Sequence, residues 1–164
     1  MGTPDFAVPS LEALVRNGYE VAAVVTQPDK PVGRKQSCLK APPVKEAAIS
    51  LGIKTILQPE KIRTEEFINT LKALRPDLIV TAAYGKILPK TVLDIPRLGC
   101  INVHGSLLPK YRGAAPIQWA LINGEKVTGI TTIFMDEGMD TGDILLMREV
   151  EIPPDMTCGE LFDI

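Results

Sequence analysis

Short apolar runs alternate with helical patterns between residues 10 and 104, and this alternation constrains the fold most. Four runs rich in Val, Ile and Ala lack polar alternation, as parallel strands covered on both faces do; they span residues 20–27, 54–58, 77–84 and 100–104. Three helical patterns accompany them, over residues 10–18, 42–52 and 64–76. Alternation of this kind predicts a doubly wound, mostly parallel α/β sheet.

The pattern changes after Ala120. Residues 127–135 and 143–152 are strand-like, with only the loop DEGMDTG between them. A connection this short cannot hold a helical crossover, so the two strands are predicted to run antiparallel. Further on, Thr157 and Glu160 have the T-x-x-E spacing of a capping box, which predicts the start of a helix.

Composition excludes several classes of function. The 164 residues carry a net charge of −2, so any nucleic acid or membrane must be met by a local patch rather than by the whole surface. The longest apolar runs are far shorter than the ~20 residues of a membrane span, and no secretion signal opens the chain. Three scattered cysteines and one histidine argue against a metal site. We therefore expect a cytoplasmic protein with reduced thiols.

Residues 27–45, here called the basic segment, form the one compositional break in the chain. They hold a single acid, Asp29, and five basic residues, namely Lys30, Arg34, Lys35, Lys40 and Lys45. Four prolines and one glycine are expected to exclude regular structure from the segment. It is either a solvated loop or a basic finger that contacts phosphates without reading bases.

The only histidine, His104, lies at the end of a predicted strand. In open α/β sheets, ligands bind beyond the carboxyl ends of the strands. Asn102 lies two residues earlier, so both side chains are expected on the same face of the strand. An amide can donate a hydrogen bond to a developing oxyanion, and an imidazole can move a proton. The pair therefore suits a reaction at a carbonyl, although a lone histidine can also be purely structural.

An acidic partner for His104 is expected in the loop between the last two strands. The candidates are Asp136, Glu137, Asp140 and Asp143, and the residues alone leave the choice open.

The sequence lacks the motifs of dinucleotide-binding proteins, P-loop nucleotide-binding proteins and serine hydrolases. The chain has no G-x-G-x-x-G, no GxxxxGK[ST] and no G-x-S-x-G.

Several long motifs resemble the folate-dependent formyltransferase family. They are GTPDFAVPSLEAL, VVTQPDKPVGRKQ, CINVHGSLLPKYRGAAPIQWAL and MDEGMDTGDIL, which together cover nearly the whole chain. The resemblance implies a formyltransferase fold with a Rossmann-like sheet. It also implies transfer of a formyl group from 10-formyltetrahydrofolate, a co-substrate, to an amine without a metal. The GRK-type basic segment implies that this amine is the α-amino group of methionyl-initiator-tRNA.

Three alternatives stay open beside that acceptor. Two are other members of the family, with glycinamide ribonucleotide or a nucleotide-sugar amine as acceptor. The third is a catalytically inert fragment that binds folate or RNA.

The resemblance further implies roles for individual residues. Asn102 and protonated His104 would stabilise a tetrahedral oxyanion, while Asp140 would keep His104 charged and assist proton transfer. The folate-contacting turn would consist of Ser106, Leu107, Leu108 and Pro109. The tRNA acceptor arm would be engaged by Arg34, together with Lys35 and Lys30.

The resemblance also bears on domain organisation. It implies that residues 1–164 form the catalytic domain of a larger protein, truncated at both ends. The family has an apolar strand before GTPDF and a C-terminal β-barrel domain, neither of which this sequence contains. The sheet is then expected to have an open interior edge, and the protein to be a monomer.

Overall fold

The structure is a computed structural model that describes residues 1–32 and 38–164. The chain divides into two compact units, residues 1–99 and residues 100–164. Helices and short strands alternate through the first unit. The second unit contains an antiparallel sheet and two helices.

The first unit opens with a 3-10 turn, Asp5–Ala7. Its helices are α1 (Val8–Arg16), α2 (Pro43–Ser50), α3 (Glu65–Leu74) and α4 (Lys90–Leu93). Its strands are β1 (Val24–Val25), β2 (Lys30–Val32), β3 (Cys38–Lys40), β4 (Ile56–Leu57) and β5 (Ile79–Ala82). The three predicted helices are confirmed, and Thr64 caps α3 by accepting a hydrogen bond from the Phe67 amide. The parallel pairing of β1 with β4 is also as predicted, but each strand is only two residues long.

Met1 and Gly2 lie between β1 and β5 within this unit. The Gly2 amide donates to the Val25 carbonyl, and the Ala82 amide donates to the Met1 carbonyl, both at 3.0 Å. The Met1 ammonium group donates to the Val80 carbonyl at 2.6 Å. Beyond Met1 there is a cavity of about 720 Å³, here called the interstrand cavity, and residues 21–25 and 76–80 line it.

The basic segment departs from the prediction. Strands β2 and β3 pair antiparallel, with Pro31 opposite Leu39, and α2 begins at Pro43. The expectation that proline excludes regular structure here was therefore wrong. A two-stranded ribbon tolerates a residue without an N–H group at its edge, and the first turn of a helix needs no donor from proline. Arg34 and Lys35 lie outside the described residues.

An ion pair joins the start of the basic segment to its end. The Lys45 ammonium group donates to both carboxylate oxygens of Asp29, at 2.9 and 2.8 Å, and to Gln58 at 2.8 Å. The Gln58 amide also donates to Asp29 at 2.7 Å. These hydrogen bonds, from Lys45 first and Gln58 second, lower the pKa of Asp29.

The second unit consists of β6 (Cys100–His104), α5 (Pro116–Ile122), β7 (Val127–Phe134), β8 (Ile144–Glu151) and α6 (Cys158–Asp163). Strand β7 pairs antiparallel with both β6 and β8. The predicted antiparallel strands are thus confirmed, and so is the capping box of Thr157 and Glu160 at the start of α6. The sequence patterns missed α4 and α5. None of the helices in the two described ranges has the length and apolarity that a membrane crossing requires.

Candidate active site

Asn102 and His104 both lie on strand β6, and their side chains both lie near Asp140 in the second unit. The Asn102 amide donates to Asp140 Oδ1 at 3.2 Å, and His104 Nδ1 lies 3.5 Å from Asp140 Oδ2. The side chains of His104 and Asp140 are only 7% and 14% exposed, so water screens their interaction little. The structure therefore brings together the amide, the imidazole and one of the four candidate acids.

Asp140 occupies a turn that few residue types tolerate. Its φ is 52°, in the left-handed region that Asp and Asn enter more readily than most other residues. The Gly113 amide donates to Asp140 Oδ2 at 2.8 Å, and Arg112 Nε donates to the Asp140 carbonyl at 3.0 Å. Asp136, by contrast, accepts hydrogen bonds from its own loop. Geometry thus distinguishes Asp140 where the residues alone left the choice open.

The second ring nitrogen of His104 is also engaged. His104 Nε2 lies 2.8 Å from the carbonyl oxygen of Tyr111. A carbonyl oxygen can only accept a hydrogen bond, so Nε2 carries the hydrogen in this contact. The imidazole is therefore held between two oxygens, one from the main chain and one from a carboxylate.

A polar cluster fixes Tyr111. Its phenol donates to Glu125 Oε1 at 2.7 Å and accepts from the Asn123 amide at 3.0 Å. Lys110 donates to the same carboxylate at 3.0 Å. The pKa of Glu125 is lowered by the Tyr111 hydrogen bond first and the Lys110 hydrogen bond second, and Glu125 raises the pKa of Lys110 in turn. Sequence reasoning missed this cluster, since nothing in the spacing of its residues marks them as partners.

The turn from Ser106 to Pro109 follows β6 directly and is anchored by β7. Thr131 Oγ1 donates to the Ser106 carbonyl at 2.6 Å and accepts from the Leu108 amide at 3.1 Å. Ser106 Oγ donates to the Lys110 carbonyl at 2.7 Å. The Leu108–Pro109 peptide bond is cis. Thr131, fully buried in the sheet, is a further residue that sequence reasoning missed.

The predicted tRNA-binding residues are described only in part. Lys30 begins β2, where it lies exposed opposite Lys40. Arg34 and Lys35 are outside the described residues. Over residues 1–32 and 38–164, no group of three or more His, Cys, Asp or Glu side chains is arranged to hold a metal ion.

A hydrogen-bond donor, an imidazole and a carboxylate in one partly buried patch can polarise a carbonyl and relay a proton. The formyl transferase family matches residues 1–163. The chain belongs to this family. Its predicted membership and its predicted formyltransferase fold are thereby confirmed.

Individual relatives agree with the family match. Methionyl-tRNA formyltransferases from Acetivibrio thermocellus and Ruminiclostridium cellulolyticum are 70% and 68% identical to the chain over 163 residues. In both cases the match covers 99% of this chain and 52% of the relative, so the chain spans about half the length of these curated relatives. The solved phosphoribosylglycinamide formyltransferase from Bacillus halodurans is 27% identical, with a TM-score of 0.76. That match covers 99% of this chain and 83% of the solved one.

Proposed function

We propose that this chain is the catalytic domain that transfers the formyl group of 10-formyltetrahydrofolate to the α-amino group of methionyl-initiator-tRNA. The observation that carries the proposal is the convergence of Asn102, His104 and Asp140 beside the end of β6. The names of the relatives from Acetivibrio thermocellus and Ruminiclostridium cellulolyticum support the choice of acceptor. Because initiator tRNA serves translation, the activity is proposed for the cytoplasm, with the protein acting as a monomer.

The proposed chemistry begins with attack of the amine nitrogen on the formyl carbon. A new C–N bond forms, and the formyl oxygen takes up negative charge. The amide of Asn102 and the positive charge of the protonated His104 ring stabilise that oxyanion. The carboxylate of Asp140 stabilises the imidazolium, because a negative oxygen beside Nδ1 favours the charged ring.

Collapse of the tetrahedral intermediate completes the transfer. The bond between the formyl carbon and N10 of the folate breaks, and the new amide remains on the acceptor. The attacking amine loses one proton, and N10 gains one as it leaves. We propose that Asp140 and His104 carry that proton, and the step needs no external oxidant, reductant or metal.

The two substrates are assigned to different parts of the chain. The turn formed by Ser106, Leu107, Leu108 and Pro109 is proposed to hold the folate beside His104. Thr131 fixes the main chain of this turn, so the folate would meet a preorganised surface. The basic segment, through Arg34, Lys35 and Lys30, is proposed to hold the acceptor arm of the tRNA by phosphate contacts.

Glycinamide ribonucleotide is the second candidate acceptor. The solved structure from Bacillus halodurans, a phosphoribosylglycinamide formyltransferase, favours it at the level of fold. The basic segment argues for tRNA instead, because a sequence segment with five basic residues and one acid suits a ligand with many phosphates better than a small ribonucleotide. Competition between the two acceptors, and with a nucleotide-sugar amine, separates these activities.

The test is formyl transfer from 10-formyltetrahydrofolate to methionyl-initiator-tRNA by the wild type, His104→Ala and Arg34→Ala. We expect His104→Ala to abolish turnover, and Arg34→Ala to raise KM for tRNA with little change in kcat. Arg63→Ala, which removes an exposed arginine from outside the basic segment, is the matched control for charge. Wild type that formylates only glycinamide ribonucleotide would overturn the tRNA assignment. Wild type that binds a folate analogue without turnover would support an inert binding fragment.

A further inference from the structure

The carbonyl oxygen of Tyr111 determines which nitrogen of His104 can exchange a proton. This oxygen lies 2.8 Å from Nε2 and can only accept a hydrogen bond, so Nε2 keeps its hydrogen whether the ring is neutral or charged. The proton that the ring gains or loses is then the one on Nδ1, which lies 3.5 Å from Asp140 Oδ2. The second ring proton is therefore exchanged on the side that faces Asp140.

Tyr111 presents this carbonyl from a backbone conformation that its residue type rarely adopts. Its φ is 56°, in the left-handed region that disfavours residues with a Cβ atom. Such a conformation persists only where the surrounding contacts hold it. One contact comes from the main chain just before it, where Ser106 Oγ donates to the Lys110 carbonyl at 2.7 Å. The contacts of the Tyr111 side chain supply the rest.

The main contact of the Tyr111 side chain is with the carboxylate of Glu125. The phenol donates to Oε1 at 2.7 Å, and Lys110 Nζ donates to the two carboxylate oxygens at 3.0 and 3.1 Å. These hydrogen bonds lower the pKa of Glu125, so the carboxylate is ionised at neutral pH. The side chain of Lys110 is 65% exposed and that of Glu125 only 25%. Water therefore screens the ion pair, and the phenol contact is the one that holds Tyr111.

Glu125 is itself fixed in the connection between α5 and β7. Its amide donates at 3.0 Å to the carbonyl of Ala120, a fully buried residue of α5, and β7 begins two residues later at Val127. Asn123, in the same connection, donates from its side-chain amide to the Tyr111 phenol at 3.0 Å. The phenol thus meets one acceptor and one donor on a short segment that is attached at both ends, as a supporting residue requires.

We propose that Glu125 is a positioning residue for His104. It acts through the Tyr111 phenol, which keeps the Tyr111 carbonyl against Nε2 and so confines proton exchange to Nδ1, beside Asp140. In this role Glu125 need not contact either substrate. The inference deepens the proposed function and rests on it, because the position of the ring affects catalysis only if His104 takes part in formyl transfer.

The ring of His104 gives a direct readout, because the chain contains no other histidine. In long-range nitrogen-15 NMR spectra of the purified chain, the shifts of Nδ1 and Nε2 give the ratio of the two neutral tautomers. We expect the neutral ring of wild type to carry its hydrogen almost entirely on Nε2. In Tyr111→Phe and in Glu125→Ala, we expect the fraction of the Nδ1–H tautomer to rise roughly tenfold, as the weakening of one hydrogen bond allows.

Three further variants separate positioning from a general effect on the fold. Glu125→Gln keeps an acceptor oxygen for the Tyr111 phenol, so it is expected to restore the wild-type tautomer ratio. Tyr111→Phe combined with Glu125→Ala should change the ratio no more than either does alone, because both remove the same contact. Glu149→Gln, an exposed change on β8, is the control and should leave the ratio and the turnover unchanged.

Formyl transfer gives the second readout. Tyr111→Phe and Glu125→Ala are expected to lower kcat by about tenfold, with KM for both substrates unchanged, because a misplaced ring affects the chemical step rather than binding. The proposal is overturned if the tautomer ratio is the same in wild type and both variants, if the double variant adds the two changes, or if the ratio shifts while kcat does not. If the ratio shifts as expected but wild type has no turnover, the proposed function fails and the control of the ring by Glu125 is supported.

Discussion

The side-chain amide of Asn102 donates a hydrogen bond to the carboxylate of Asp140 across 38 residues of sequence. The register of two strands produces this contact. Strand β7 runs antiparallel to β6 and places Ile133 opposite Asn102 and Thr131 opposite His104. The loop that follows β7 therefore starts beside the strand that carries the amide and the imidazole. A left-handed turn at Asp140 then directs its carboxylate toward both side chains.

Replacing that carboxylate tests its proposed role. Asp140→Asn keeps the size of the side chain and tolerates the left-handed backbone, but it removes the negative charge beside His104. We expect kcat for formyl transfer to fall by about 10²- to 10⁴-fold, with little change in stability. Single-turnover kinetics and a denaturant titration measure the two effects separately.

Asp136→Asn is the matched control, because Asp136 lies in the same loop and accepts from Gly138 and Thr141 rather than from Asn102. It should leave kcat nearly unchanged. Equal losses in the two variants would show that the loop as a whole, rather than the Asp140 charge, supports turnover.

Substitutions at Thr131 and its neighbour Thr132 test whether the hydrogen bonds of Thr131 stabilise the Ser106–Pro109 turn. Thr131→Val keeps the shape of the side chain but leaves the Leu108 amide and the Ser106 carbonyl without their partner. We expect the free energy of unfolding to fall by about 2 kcal/mol. Thr132→Val loses only a 3.5 Å contact at the surface and should change it by less than about 0.5 kcal/mol. Equal effects in urea titrations would contradict the anchoring role.

Tyr84 carries a buried phenol oxygen that has no hydrogen-bond partner in the described part of the chain. Burial raises its pKa from 10.0 to about 12. Between these values the unfolded chain releases a proton that the folded chain retains, so the free energy of unfolding falls as the pH rises from 10 to 12. The expected loss is roughly 2 kcal/mol.

Tyr84→Phe removes both the buried polar atom and this titration. We expect a free energy of unfolding at pH 7 that is equal to or up to roughly 1 kcal/mol above that of wild type, and a smaller loss in alkali. Tyr19→Phe, which removes an exposed phenol, should lose as much free energy of unfolding between pH 10 and 12 as wild type does. If Tyr84→Phe loses as much stability in alkali as wild type does, the loss arises elsewhere.

Glu125 should make the loop that bears Tyr111 sensitive to acid. Its pKa is lowered by the Tyr111 and Lys110 hydrogen bonds, so its contribution to stability is present above its ordinary pKa of 4.5 and is lost as the pH falls through the lower, folded value. Glu125→Gln is expected to have a lower free energy of unfolding at neutral pH. Its free energy of unfolding should also fall less than that of wild type as the pH is lowered. Glu149→Gln, an exposed change on β8, should follow the wild-type curve in urea titrations at each pH.

Much of the fold could be predicted from patterns of a few adjacent residues. The helix that begins after Thr64 and the pair of strands around DEGMDTG followed from local spacing, and the structure agrees with them. The ribbon of β2 and β3 did not follow, because proline content argues against strands in general but does not exclude a ribbon edge.

Only part of the candidate site could be predicted from the sequence. Asn102 and His104 share a strand, so period-two alternation places them together. The contacts of Tyr111 and Thr131 depend instead on main-chain carbonyls, amides and strand register, which side-chain identity does not encode. Among the four acids of the loop, spacing alone does not distinguish Asp140; the family resemblance implies it, and its left-handed turn and its contacts with Asn102 and His104 single it out in the structure.

The hydrogen bonds of Met1 have a practical consequence for protein production. Because the ammonium group pairs with Val80 and the Met1 carbonyl pairs with Ala82, an affinity tag fused at this end would have to pass through the interstrand cavity. Residues of the tag would then contact the walls of this cavity. The melting temperature and the yield of the tagged protein would therefore depend on the sequence of the tag. Ile164 is 71% exposed, so a tag joined there would begin at the surface of the second unit.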